Sequence, residues 1–257
     1  MIEPKRIDGK AIYSPKGKAG EYATYACNFY VGCSNNCEYC YCKKGVLGHA
    51  MGAPKATLKK CFKDECHAYD VFVKEVKANL EPLREYGLFF TFTSDPMLKE
   101  CINLTKEAVG YSISQGIHCT ILTKRADFLD FIPDEWVALK MYSDKLTFGF
   151  TLTGHDELEP GASTNAERID CMRKLHAMGF KTFASIEPIV DLFSSLRTID
   201  TTKDFCDIYK IGLMSGKRNY TPKDVQNFVE VVKSCYGLKK EIYFKKSVTD
   251  YISKLNK

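Results

Sequence analysis

What most constrains the fold is an alternation of two kinds of segment. "LFFTFTS" (Leu88–Ser94), "IHCTILTK", "KLTFGFTLTG", "FKTFASIEPIV" and "CDIYKIGLMSG" are short runs, apolar nearly throughout. Such runs read as strands buried on both faces. Helix-like segments separate them. "YDVFVKEVKANL" places Phe72, Val76 and Leu80 four apart, with Pro82 and Gly87 punctuating its end. "LKECINLTKEAVGYSISQG" reads as a helix, and "DFLDFIPDEWVALKMYSD" as helical or broken-helical. Thr164 and Glu167 have capping-box spacing ahead of the stripe Ile169, Met172 and Leu175, and Gly179 fits the stop. Thr221-Pro222 opens "PKDVQNFVEVVKSCYG", since proline is tolerated at the first helical position. The pattern predicts an α/β fold with about six β/α units around a parallel sheet. Functional residues in such sheets sit beyond the strand C-termini. Ser94-Asp95, Lys124, Thr153 and Glu187 all fall at or near predicted strand ends.

The loop after the first strand carries "YVGCSNNCEYCYC", with Cys33-x3-Cys37-x2-Cys40 and then Cys42. The N-terminus has no apolar signal segment, and no apolar run of membrane-spanning length occurs. An intracellular, cytoplasmic location is therefore expected, without membrane attachment. Twelve cysteines in that setting point to metal or redox chemistry rather than disulfides. Thiolates select zinc, copper(I) or iron–sulfur clusters. Structural zinc sites usually close with two separated pairs, and no second CxxC exists in the chain. Three thiolates on a four-iron cubane leave one iron open to another ligand. The net charge of +5 fits ordinary solubility. Lysines nevertheless gather at Lys43, Lys44, Lys55, Lys59, Lys60 and Lys63, and again at Lys239, Lys240, Lys245 and Lys246.

The cysteine motif, with Tyr39 before its last cysteine, resembles the signature of the radical S-adenosylmethionine (SAM) enzymes. "FTFTSDP", "ILTKR" and "EPGASTNAERI" make the chain similar to their spore photoproduct lyase-like branch over about residues 22–215. The resemblance implies a partial (β/α)6 TIM-like barrel with parallel strands. It also implies a [4Fe-4S] cluster on Cys33, Cys37 and Cys40, SAM bound at the fourth iron, and an external one-electron donor. It places Ser94 and Asp95 at the SAM amino group and Lys124 at the carboxylate. Thr151 and Thr153 fall near the ribose and Arg168 near the carboxylate. Glu187-Pro188 and Gly212–Gly216 border the adenine. Tyr39 and Tyr41 match tyrosines implicated in relaying a radical, and packing beside the cluster is the alternative role for both.

The expected organisation is one domain over residues 1–257, with a helical C-terminal extension from about residue 216. One departure matters: the lyase has a hydrogen-donating cysteine where this chain has Phe92. The SAM-cleaving apparatus is thus expected, while the substrate is not assigned. A nucleic acid or nucleotide is the leading class, and a peptide or small metabolite stays open. The rival readings are a photolesion lyase with another hydrogen donor, and a non-catalytic zinc-binding or nucleic-acid-binding module.

Overall fold

A computed structural model describes residues 4–216, 218–237 and 240–256. Among these residues ten strands form two sheets. Eight make one sheet: β1 (Ile12–Tyr13), β2 (Ala26–Cys27), β5 (Leu88–Phe90), β6 (Cys119–Thr123), β7 (Leu146–Thr151), β8 (Lys181–Ile189), β9 (Ile208–Leu213) and β10 (Glu241–Phe244), in that spatial order. All neighbours pair in parallel except β1 on β2. The remaining two, β3 (Tyr30–Val31) and β4 (Thr57–Leu58), form a small antiparallel ribbon beside the cysteine loop. Helices α1 (Gly45–Met51), α2 (Glu65–Ala78), α3 (Leu80–Tyr86), α4 (Ile102–Ser114), α5 (Asp134–Ala138), α6 (Lys140–Lys145), α7 (Asn165–Ala177), α8 (Leu192–Thr202), α9 (Pro222–Tyr236) and α10 (Lys246–Ile252) complete the α/β layering. The parallel sheet with its helices is what the alternating pattern predicts, and the whole is consistent with the partial barrel that the resemblance implies. Among the described residues no helix is long and apolar enough to cross a membrane.

Because side chains alternate across a strand, each strand feeds two separate apolar clusters. Cys27, Phe90, Ile121, Phe148, Ala184, Ile186 and Tyr209 face the helices and join the main core with Phe72 and Val76 of α2. Their neighbours Ala26, Phe89 and Phe183 face the barrel interior, with Tyr22, Phe92, Leu122 and Ile208 packed against them. Gly149 is part of this design. A Cβ there would stand 1.9 Å from Cε1 of Phe183, so only glycine lets that ring lie across β7.

The open edge of the barrel is bridged by the N-terminal segment. Lys245 donates to the Lys18 carbonyl at 3.0 Å, and the Lys246 amide to Glu21 at 2.7 Å. Tyr22 reaches inside, donating to Glu187 at 2.8 Å.

Four sequence expectations are revised. The strand predicted over Leu88–Ser94 stops at Phe90. Beyond it, Thr91 and the Phe92 amide bond the Asn28 side chain, and Thr93 bonds the Tyr30 carbonyl at 2.6 Å. Side-chain acceptors there replace the ladder. The helix expected to end near Pro82 instead resumes as α3, with Pro82 in its first turn, where a missing N–H costs little. The C-terminal extension is not purely helical, since β10 adds a seventh parallel strand. Lys245 does not belong to a surface patch: it is 1% exposed and paired with Glu187 at 2.6 Å. Lys239 lies outside the described residues. The predicted capping box of Thr164 with Glu167 is present, and Thr221 forms a second one with Asp224.

The Gly149–Phe183 contact yields a direct test. Gly149→Ala should lower unfolding free energy by about 1–3 kcal/mol in urea titration, through overpacking. Phe183→Leu in the same chain should return part of that loss. Unchanged stability of the single variant would show that the ring can move aside.

Candidate functional site

The cysteine loop leaves the C-terminal end of β2 and crosses the rim where β5 to β9 also end. Two loops hold it. The first is the β5–α4 loop, through Asp95, which is 5% exposed. Its Oδ2 accepts from Asn35 Nδ2 and from the Lys124 amide, each at 2.7 Å. Its Oδ1 accepts from Thr123 Oγ1 at 2.6 Å and the Met97 amide at 3.0 Å. Four donors satisfy this buried carboxylate, so it fastens the cysteine loop to two strand ends.

The second is the β7–α7 loop. The Gly161 amide donates to the Asn35 carbonyl at 3.0 Å, and the Glu38 amide to the Leu158 carbonyl at 2.9 Å. A Cβ on Gly161 would lie 2.0 Å from the Ser34 carbonyl oxygen, a clash that only glycine avoids. Arg125 steadies this loop, donating to the Gly161 carbonyl at 2.6 Å and pairing with Asp127. Glu159, 2% exposed, is the charge centre of the loop. It accepts from the Tyr39 phenol, from Arg168 and, at 3.3 Å, from Thr153. Arg168 is wholly buried and also donates to the Thr151 carbonyl at 2.6 Å and the Thr164 carbonyl at 3.3 Å.

The geometry sorts the sequence candidates. Cys33, Cys37 and Cys40 lie together on one short loop, Cys37 buried and the other two half-buried. Among the described residues no three His, Cys, Asp or Glu side chains converge tightly enough to hold one metal ion. Burial pushes the Cys33 thiol up to about 12 and raises Cys37 as well. A hydrogen bond from the neighbouring Cys42 thiol pulls Cys40 down to about 6 and pushes Cys42 itself upward. The Cys42 thiol donates to the Phe92 carbonyl at 3.7 Å.

Lys124 places its ammonium 5.6 Å from the centre of the Tyr39 ring and forms no ion pair among the described residues. Burial alone would lower that group, but Cys37 and Glu159 outweigh it and hold Lys124 above its ordinary value. Ser94 is half-buried, its hydroxyl 3.6 Å from Cys101 Sγ.

The resemblance puts Asp95, Arg168 and Thr153 at the ligand; their polar atoms are hydrogen-bonded inside the protein. Arg168 is buried rather than on a solvated helix face. Glu187 faces the interior, where its Oε2 serves both Tyr22 and Lys245, and Tyr22 also meets Ser185 at 2.6 Å. Both tyrosines flanking Cys40 are tethered, Tyr39 to Glu159 and Tyr41 to the Phe92 carbonyl. Phe92 stacks on Phe89 at 4.5 Å inside the barrel. A cavity of about 340 Å³ opens beside Tyr39 and Lys44, walled by Leu158, Val190, Met214 and Arg218 at the ends of β8 and β9.

Sequence reasoning missed Glu159. Its signal was present in "EPGAS", directly before the capping box, but nothing local marks a carboxylate as buried.

Comparison with known proteins follows this geometry. No family model matches the chain. An uncharacterized protein of Methanocaldococcus jannaschii, MJ0683, is 25% identical over 258 residues, covering 94% of this chain and 91% of that protein. Among solved structures, a mutant spore photoproduct lyase with bound AdoMet and dinucleoside spore photoproduct superposes with a TM-score of 0.67. It shares 15% identity, over 87% of this chain and 77% of that one. SuiB of Streptococcus suis bound to S-adenosylmethionine gives a TM-score of 0.55 at 13% identity, over 84% of this chain and 48% of SuiB, so this chain spans about half of that protein. The fold is shared with spore photoproduct lyase and with SuiB. Within it, the chain resembles spore photoproduct lyase.

The Glu159–Arg168 pair makes a stability prediction. Arg168→Met strands a buried carboxylate and should cost roughly 3–5 kcal/mol in thermal or urea unfolding. Adding Glu159→Gln, which removes the stranded charge, should recover part of this. A double variant less stable than Arg168→Met would contradict the assigned pairing.

Proposed function

We propose that this protein is a radical SAM enzyme in which Cys33, Cys37 and Cys40 hold a [4Fe-4S] cluster and leave its fourth iron to SAM. One observation carries the reading. In a fold shared with structures that bind S-adenosylmethionine, this chain places its only closely spaced three-cysteine motif at the loop beyond β2, on the rim where the other strands end. When bound, the cluster supplies the electron that cleaves SAM to methionine and a 5′-deoxyadenosyl radical, which takes a hydrogen atom from the substrate.

The protein's own part is binding, orientation and exclusion. Asp95, through Asn35, and Gly161, through its close approach to Ser34, fix the cysteine loop. Lys124, which forms no ion pair among the described residues, takes the SAM carboxylate in this reading. Ser94, half-buried, is the hydroxyl that the resemblance assigns to the amino group. The cavity between Tyr39 and the ends of β8 and β9 accepts the adenosyl part. Glu159 and Arg168 keep Tyr39 beside Cys40.

The substrate lies within reach of the barrel interior, where the half-buried Phe92 ring, backed by Phe89, offers flat apolar surface. That surface suits a planar or apolar group. A nucleic acid or nucleotide remains the leading class, by resemblance and by the local lysines. Photolesion repair is disfavoured because Phe92 has no easily donated hydrogen atom.

Anaerobic reconstitution tests the reading. Wild-type protein should take up four irons and, once reduced, release 5′-deoxyadenosine from SAM. Cys33→Ala, Cys37→Ala or Cys40→Ala should each lose the cluster, while Cys42→Ala keeps it. Spore photoproduct dinucleotide should yield no repaired dinucleotide. Colourless protein with stoichiometric zinc would favour the non-catalytic module instead, and efficient repair would favour the lyase. Lys124→Ala should retain the cluster and weaken SAM binding by about 1–3 kcal/mol in calorimetry, the loss expected for a charge-assisted bond. Unchanged affinity would remove Lys124 from the site.

A further inference from the structure

The segment from Lys43 to Lys63 carries six lysines and not one aspartate or glutamate. Its charge exceeds the net +5 of the entire chain, so the remainder is close to neutral. Lys44, Lys55, Lys60 and Lys63 are exposed. None of the six forms an ion pair among the described residues. The two acids that follow are occupied: Asp64 caps α2 through the His67 amide at 2.7 Å, and Glu65 accepts from the Tyr30 phenol at 2.6 Å.

This segment wraps the cysteine loop itself. The Cys33 amide donates to the Ala53 carbonyl at 3.0 Å, and Lys43 reaches back to the Asn36 side chain. Through β4, the segment returns to pair with β3, the strand that leads into the motif. The uncompensated positive charge thus lies on the chain that covers the proposed cluster.

An enzyme of the proposed kind needs one electron on its cluster before SAM is cleaved, and no residue of this chain supplies it. Electron tunnelling falls steeply with distance, so the carrier must approach the cysteine loop and leave again. Brief, electrostatically steered docking over a small area suits that task. Nucleic acid is the weaker fit for this surface. The segment has no arginine for bidentate phosphate contacts, and its one Phe, Tyr or Trp, Phe62, is buried and cannot stack on a base. Resting on the proposed function, we infer that the surface of residues 43–63 docks a small acidic one-electron carrier protein. The reduced carrier passes one electron to the oxidised cluster held by Cys33, Cys37 and Cys40, and departs oxidised by that one electron.

The test mixes the oxidised holoprotein with a reduced acidic flavodoxin and follows bleaching of the cluster's visible absorbance by stopped flow, with neither SAM nor substrate present. Lys55→Glu, Lys60→Glu and Lys63→Glu together should slow reduction by about tenfold or more at low salt. Reduction by an uncharged small reductant, photoreduced 5-deazariboflavin, should be unchanged. Raising the salt to about 0.5 M should slow the wild type towards the variant, since screening shortens the reach of the charges. The matching Gln variant should fall between wild type and the Glu variant. Lys140→Glu, Lys181→Glu and Lys233→Glu, an equal charge change elsewhere on the surface, should leave the rate near wild type.

The inference is overturned if the flavodoxin rate is unchanged, if both reductants slow together, or if the control triple slows reduction as much. It is also overturned if the variant keeps its flavodoxin rate but loses oligonucleotide binding, which would make this a nucleic-acid surface. Wild-type protein that takes up no four-iron cluster would instead overturn the proposed function, a different result from any of these.

Discussion

The site depends on one buried carboxylate. Asp95 receives donors from the cysteine loop (Asn35), from the end of β6 (Thr123 and the Lys124 amide) and from its own loop (Met97). A buried carboxylate short of partners is costly, so each of these segments is drawn to the position that satisfies it. The ammonium of Lys124 is placed by the same contact, because the Lys124 amide is one of the four donors. Where a cofactor must meet thiols from one loop and charges from two strand ends, such a hub sets their mutual distances before any ligand arrives.

Glu159 is the complementary hub on the opposite side of the loop. Its partners are Tyr39, Thr153 and Arg168, and Gly161 two residues later presses directly on Ser34. The cysteine loop is clamped between two carboxylates, each buried and each satisfied by different elements. That arrangement accounts for Arg168 and Thr153 lying near the site without polar atoms to spare.

The sequence made the fold legible where the signal is local. Runs such as Phe148–Thr151 and Phe183–Ile186 are apolar on both faces, and the Thr164–Glu167 capping box marks its helix. The spacing of Cys33, Cys37 and Cys40 is likewise a local pattern. What was not legible was who bonds whom. Arg168 reads as one more charge on an amphipathic helix, and only the tertiary fold brings it to Glu159. Lys245 reads as surface for the same reason, since its partner Glu187 is 58 residues away. The early end of β5 was hidden because the competing acceptor, the Asn28 side chain, belongs to a different strand end. Lysines 43–63 are local in sequence, but their nearness to the cysteine loop follows from the Ala53–Cys33 contact.

The central claim is that three thiolates leave one iron for SAM. The most direct measurement is electron paramagnetic resonance of the reduced holoprotein with and without SAM. If SAM chelates the open iron, its addition should shift the g-values of the reduced cluster, and SAM labelled with a magnetic nucleus on its amino group should show hyperfine coupling to the cluster. A four-iron spectrum that is identical with and without saturating SAM, and that lacks this coupling, would contradict the account.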